Sequence, residues 1–121
     1  MVKTYGLTHV NLAVRDGERA LEFYGQVFGL EACSRAGGLI HCTIPGTHDV
    51  MTFDPNGPTP GVAGGIAHFG FRLTDAGDID DAVTQVERAG GKLLRRGEFR
   101  PGFPYAYVAD PDGYEVEIWF E

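Results

Sequence analysis

An internal repeat restricts the fold of this chain more than any other feature. The segments LTHVNLAV (Leu7 to Val14) and IAHFGFRL (Ile66 to Leu73) align without a gap and set His9 over His68. Each alternates apolar and polar side chains as a half-buried strand does, and a helical pattern follows each. A period of about 59 residues leaves room for two such units in 121 residues.

The rest of each unit runs in the same order. After the first strand, Asp16 is a helix cap, and Ala20, Phe23, Tyr24, Val27 and Phe28 recur at three- and four-residue spacing until Gly29. Strand patterns then cover 31–35, 38–44 and 49–54, with turns at Gly37-Gly38 and Pro45-Gly46-Thr47. In the second unit Asp78 opens a helix with Ile79, Ala82, Val83, Val86 and Ala89 on its apolar face, ended by Gly90-Gly91. Strands follow near 92–95, 105–109 and 114–120, the last two joined by a tight turn at Asp110-Pro111-Asp112-Gly113. Each half reads β-α-β-β-β, and the Gly/Pro-rich stretch from Pro55 to Gly65 links them. The expected fold is α+β: one domain spanning 1–121, with module one at about 1–55 and module two at about 64–121.

Alternation also sorts the side chains by face. Val10, Leu12 and Val14 share one side of the first strand, while His9, Asn11 and Ala13 share the other. Its repeat sets Phe69, Phe71 and Leu73 against His68, Gly70 and Arg72, and the last strand sets Val116, Ile118 and Phe120 against Glu115, Glu117 and Trp119. The polar faces thus carry both histidines, Glu117, Asn11, Arg72 and Trp119. Two imidazoles and a carboxylate are a ligand set for a divalent metal.

Charge and composition exclude several other roles. Seventeen acidic and ten basic residues give a net charge of −7, and no basic tract extends beyond Arg95-Arg96, so nucleic acid is not an expected partner. No apolar run reaches the roughly 20 residues that cross a bilayer, so no membrane partner is expected either. Met1 leads directly into the first strand pattern without a leader, which favours the cytoplasm. Cys33 and Cys42 are too few for a disulfide framework and read as reduced, packed thiols.

The repeat, the helix wording ALEFYGQVFGL and the hairpin DPDGYEVEIW together carry a resemblance over essentially the whole chain. The chain resembles the vicinal oxygen chelate superfamily, which includes glyoxalase I, fosfomycin-resistance proteins, bleomycin-binding proteins and extradiol ring-cleaving dioxygenases. The resemblance implies two modules whose sheets curl around a shared metal-containing cleft. It implies one divalent metal ion (Fe, Mn, Ni, Co or Zn) held by His9, His68 and Glu117. Three protein ligands leave positions open for substrate or water. Such a metal is a Lewis acid for two neighbouring oxygens of a small organic substrate. A homodimer is also implied, because many relatives build each cleft from modules of two chains.

Departures from the family's patterns bear on the reaction. Glyoxalase I takes a fourth ligand from the last strand of its first half, where this chain has Thr52; Asp54 and His48 reach that place only with a shift of register. Tyr107, ten residues before Glu117, fits the dioxygenase pattern and is the candidate for an acid-base or orienting role, but no histidine precedes it in EFRPGFPYAY. Fosfomycin enzymes carry threonine where Asn11 stands and a serine-rich loop where Arg100-Pro101-Gly102-Phe103-Pro104 stands. Asn11, Arg72 and Trp119 are the candidate substrate-binding residues, whereas His41 reads as packed or exposed. The expected function is a metal-dependent enzyme of this superfamily, with dioxygenase, lyase or isomerase, and thiol-transferase chemistry left open. The alternative is a metal-free protein that binds and sequesters small molecules in the bleomycin-resistance manner.

Overall fold

The computed structural model describes all 121 residues, Met1–Glu121. They divide into two compact units, Met1–Pro60 and Gly61–Glu121. No helix is long and apolar enough to cross a membrane.

The first unit contains β1 (His9–Ala13), α1 (Gly17–Phe28), β2 (Glu31–Ala36), β3 (Leu39–Thr43) and β4 (Val50–Asp54). Its sheet has the order β1-β4-β3-β2, with β1 parallel to β4 and the other neighbours antiparallel. Asp16 caps α1 by accepting from the amides of Glu18 and Arg19, which satisfies donors that a helix start leaves orphaned. Gly29 closes the helix in the left-handed conformation (φ 77°), where its lack of a Cβ removes the steric penalty. The apolar face of α1 lies across β2, β3 and β4. Phe23 and Tyr24 are fully buried there, and the Tyr24 ring stacks on Phe53 at 5.4 Å. Leu12, Val14, Ile40, Cys42 and Met51 complete this core.

The second unit repeats the plan with β5 (Phe69–Arg72), α2 (Ile79–Arg88), β6 (Lys92–Glu98), β7 (Pro104–Ala109) and β8 (Glu115–Trp119), in the sheet order β5-β8-β7-β6. Ile79, Val83 and Val86 of α2 are buried, as are Ala106, Val108, Val116 and Ile118 of the sheet. In the turn before β8, the Asp110 carboxylate accepts from the amides of Asp112 and Tyr114, while Gly113 turns at φ 96°. That turn fixes the register that sets Glu117 against Tyr107.

Three sequence expectations differ in detail. Residues before His9 form no regular element, so Met1 does not lead straight into a strand. His68 lies immediately before β5 rather than within it. Asp78 makes no side-chain cap; Asp75 instead accepts from the Gly77 amide and starts a 3-10 turn (Ala76–Asp78) that runs into α2. The capped entry thus lies three residues before the one that the apolar spacing suggests.

Candidate functional site

Module two brings three of the expected residues together. Parallel pairing of β5 with β8 puts Gly70 opposite Glu117, and antiparallel pairing of β7 with β8 puts Tyr107 opposite Glu117 on its other side. His68, two residues before Gly70, therefore emerges beside the same carboxylate. Its Nε2 lies 3.2 Å from Glu117 Oε2. The His68 ring stands edge-on to Tyr107, with centroids 5.0 Å apart. Glu117 is well covered, its side chain 13% exposed against 34% for His68.

Glycine at position 70 makes this close approach possible. A Cβ there would come within 2.8 Å of the Glu117 carbonyl oxygen and 3.4 Å of Trp119 Nε1. Tyr107 holds its proton to higher pH than an ordinary tyrosine, first because burial disfavours the phenolate, and second because its hydroxyl bonds to Glu117. Arg95, stacked 4.0 Å over the Tyr107 ring, opposes that shift but also bonds to Glu115. The Arg72 guanidinium donates to the Glu121 carbonyl at 2.5 Å and lies 5.3 Å from the Trp119 ring centre. Phe99, Glu117, Trp119 and Glu121 line a cavity of about 230 Å³. Phe99 carries no signal of this role in the sequence, because it follows the end of β6 outside any periodic pattern, whereas Glu121 continues the alternation of Glu117 and Trp119.

Module one holds the remaining candidates. His9 Nε2 lies 3.4 Å from the Thr52 hydroxyl, and Asn11 pairs with Thr52 in the β1–β4 register while remaining exposed. The other two candidates for a fourth ligand are engaged elsewhere. Asp54 Oδ1 accepts from the Asn56 amide at 2.9 Å, and the His48 ring stacks on Tyr5 at 4.0 Å. Cys33 is exposed and Cys42 buried, both as free thiols; burial pushes the Cys42 thiol up to about 11.

Neither module by itself gathers three His, Cys, Asp or Glu side chains into a metal-holding cluster. The His68–Glu117 pair nevertheless fits two sites on one ion. Donors about 2.1 Å from a common metal and 3.2 Å apart subtend roughly 100°, between the tetrahedral and octahedral angles.

Comparison with known proteins agrees with this architecture. Residues 6–118 match the profile described as the Glyoxalase/Bleomycin resistance protein/Dioxygenase superfamily. The chain belongs to that superfamily. It is 26% identical over 116 residues to a metapyrocatechase of Geobacillus stearothermophilus, covering 95% of this chain but 34% of that one, so it spans about a third of that relative's length. It is 31% identical over 122 residues to a lactoylglutathione lyase of Neisseria meningitidis, covering 93% of this chain and 88% of the relative. Among solved structures, a glyoxalase-related enzyme from Fulvimarina pelagi shares the fold, with a TM-score of 0.73 at 22% identity over 98% of this chain and 89% of that one.

Proposed function

We propose that this protein is a divalent-metal-dependent enzyme acting on a small organic substrate with two neighbouring oxygens. His9, His68 and Glu117 are the metal's ligands in this reading. The observation that carries it is the His68–Glu117 pair at 3.2 Å beside Tyr107, at the positions that correspond across the internal repeat and the closing hairpin. The names of the relatives in both branches, a metapyrocatechase and a lactoylglutathione lyase, are those of enzymes.

A metal bound there supplies Lewis acidity toward the substrate oxygens. Everything else is the work of the chain's own side chains. Tyr107, kept protonated by burial and by Glu117, holds a proton at its hydroxyl for donation to a substrate oxygen. Trp119 and Phe99 wall a cavity of about 230 Å³, larger than the roughly 150 Å³ apolar cavity that holds a benzene ring. Arg72, tied to Trp119 and the Glu121 carbonyl, keeps the indole in place as part of that wall. Asn11, two residues after His9 on β1, presents an exposed amide on the same face of that strand. Thr52, the module-one counterpart of Glu117, offers a hydroxyl rather than a carboxylate, so the ligand set stops at three protein groups and favours chemistry other than a four-ligand glyoxalase.

Elemental analysis of protein purified without chelator, beside the His68→Ala variant, tests this reading. It requires close to one equivalent of Fe, Mn, Ni, Co or Zn in the parent and its loss in the variant. A parent that contains no metal and takes none up on addition replaces it with the sequestering protein of the bleomycin-resistance kind. The chain is expected to act in the cytoplasm as a homodimer; sedimentation velocity checks the assembly.

A further inference from the structure

The cavity beside Glu117 lies wholly within module two and follows β8. Glu117 and Trp119, two residues apart on that strand, share one face about 6.8 Å apart, and Glu121 follows just past the strand end. Phe99 reaches the same cavity from the connection between β6 and β7. Its side chain is 55% exposed.

The sheet leaves room to seat this ring. Gly97 pairs with Tyr105, and Tyr105 with Trp119, so the three form one cross-strand row. Because Gly97 has no side chain, the Tyr105 ring lies over β6; a Cβ there would stand 2.7 Å from the Tyr105 hydroxyl oxygen and 3.0 Å from its Cζ. Phe99 packs on that ring with centroids 4.7 Å apart. Its backbone is tied as well. The Phe99 amide donates to the Phe103 carbonyl at 3.0 Å, and the Phe103 ring rests on Phe120 at 6.0 Å. A lone exposed phenylalanine is ordinary on a protein surface. One held on a cleared aromatic platform, in the wall of the cavity that contains Glu117, is a contact prepared before any ligand arrives, so little ordering is left to do on binding.

Charge narrows what this wall accepts. A cationic group is opposed by Arg72, whose guanidinium already lies 5.3 Å from the centre of the Trp119 ring. An anionic group is opposed by the negative charge of Glu121 in the same lining. A flat uncharged ring meets neither cost and stacks on the aromatic side chains. We propose that Phe99 is a specificity-determining residue of this site, and that the substrate carries a flat, uncharged aryl group beyond its chelated oxygens, packed against Phe99 and Trp119. This rests on the metal-site reading above and adds to it the part of the substrate that the metal does not hold.

The test uses the full-length protein loaded with Zn²⁺ and two hydroxamate probes, titrated by calorimetry. Acetohydroxamate and benzohydroxamate offer the metal the same pair of neighbouring oxygens and differ only in carrying a methyl or a phenyl group. The parent should bind benzohydroxamate about tenfold more tightly than acetohydroxamate, a difference of ~1.4 kcal/mol. In Phe99→Ala the benzohydroxamate Kd should rise about tenfold while Zn²⁺ content and the acetohydroxamate Kd stay those of the parent. Phe99→Tyr, which keeps the ring, should retain the parent's preference. Gly97→Ala, which displaces the Tyr105 platform, should weaken benzohydroxamate alone. Equal affinity for the two probes in the parent overturns the proposal, as does a Phe99→Ala protein that keeps the preference or loses both probes alike. A parent that holds Zn²⁺ but binds neither probe also overturns it, and leaves the metal site standing. A parent that holds no Zn²⁺ removes both readings, and elemental analysis alone identifies that case.

Discussion

Gly70→Ala probes the geometry of the site through one methyl group. The added Cβ would stand 2.8 Å from the Glu117 carbonyl oxygen and 3.2 Å from the Glu117 Cβ, whereas ordinary contact begins near 3.4 Å. The obstacle is backbone in a paired strand, so relief requires β5 and β8 to separate by about 0.6 Å, an overpacking strain of about 1–3 kcal/mol. For a chain of this size that lowers the melting midpoint by roughly 4–12 °C. Glu117 moves with its strand, so the His68–Glu117 spacing widens and Zn²⁺ affinity falls in the same variant. Scanning calorimetry and a Zn²⁺ titration measure the two effects together. Asn11→Ala, at the corresponding place in module one, is the control, with a stability change within about 0.5 kcal/mol. Module one already carries a side chain there, so such strand pairs do accommodate one. A Gly70→Ala protein with the parent's midpoint and Zn²⁺ affinity would refute the claim that Gly70 sets the Glu117 position.

Other consequences follow from the burial and caps. Cys42, with its thiol pushed from 9.0 up to about 11, carries about a hundredfold less thiolate at pH 8 than an ordinary cysteine; a chromogenic disulfide should label Cys33 in the native protein and both thiols only after unfolding. Native stability should also fall as pH climbs from 9 toward 11, because the unfolded thiol releases its proton before the folded one does. The raised Tyr107 phenol contributes in the same direction: its hydrogen bond is intact below the ordinary tyrosine range and is lost as pH rises through the folded value. In an ultraviolet titration of the native protein, Tyr107→Phe should delete one tyrosine ionisation that lies above the ordinary range, while leaving metal content unchanged. Asp16→Ala should cost about 1 kcal/mol in urea unfolding through loss of the α1 cap, with the site's metal affinity unaltered.

The sequence makes some of this architecture legible and hides the rest for identifiable reasons. The repeat, the Asp16 and Gly29 ends of α1 and the Asp110–Gly113 turn all depend on contacts within a few residues, so composition and spacing reveal them. Asp75 acts as the cap before α2 because a 3-10 turn intervenes, and apolar spacing at 3.6 residues carries no trace of that turn. His68 and Glu117 share a face by alternation, but their 3.2 Å approach depends on Gly70 and the β5–β8 register. His41 reads as packed or exposed in the sequence because the connections in the two modules differ in length. A gapless alignment anchored on His9 and His68 does not bring it over Tyr107; only hydrogen-bonded register does.

X-ray absorption at the zinc edge of the loaded full-length protein tests the central claim most directly, since multiple scattering counts coordinated imidazoles. Two imidazoles per zinc in the parent, falling to one in His9→Ala and one in His68→Ala, is the predicted result. A parent with one imidazole, or a His9→Ala protein with the parent's spectrum, would contradict a site built from His9, His68 and Glu117.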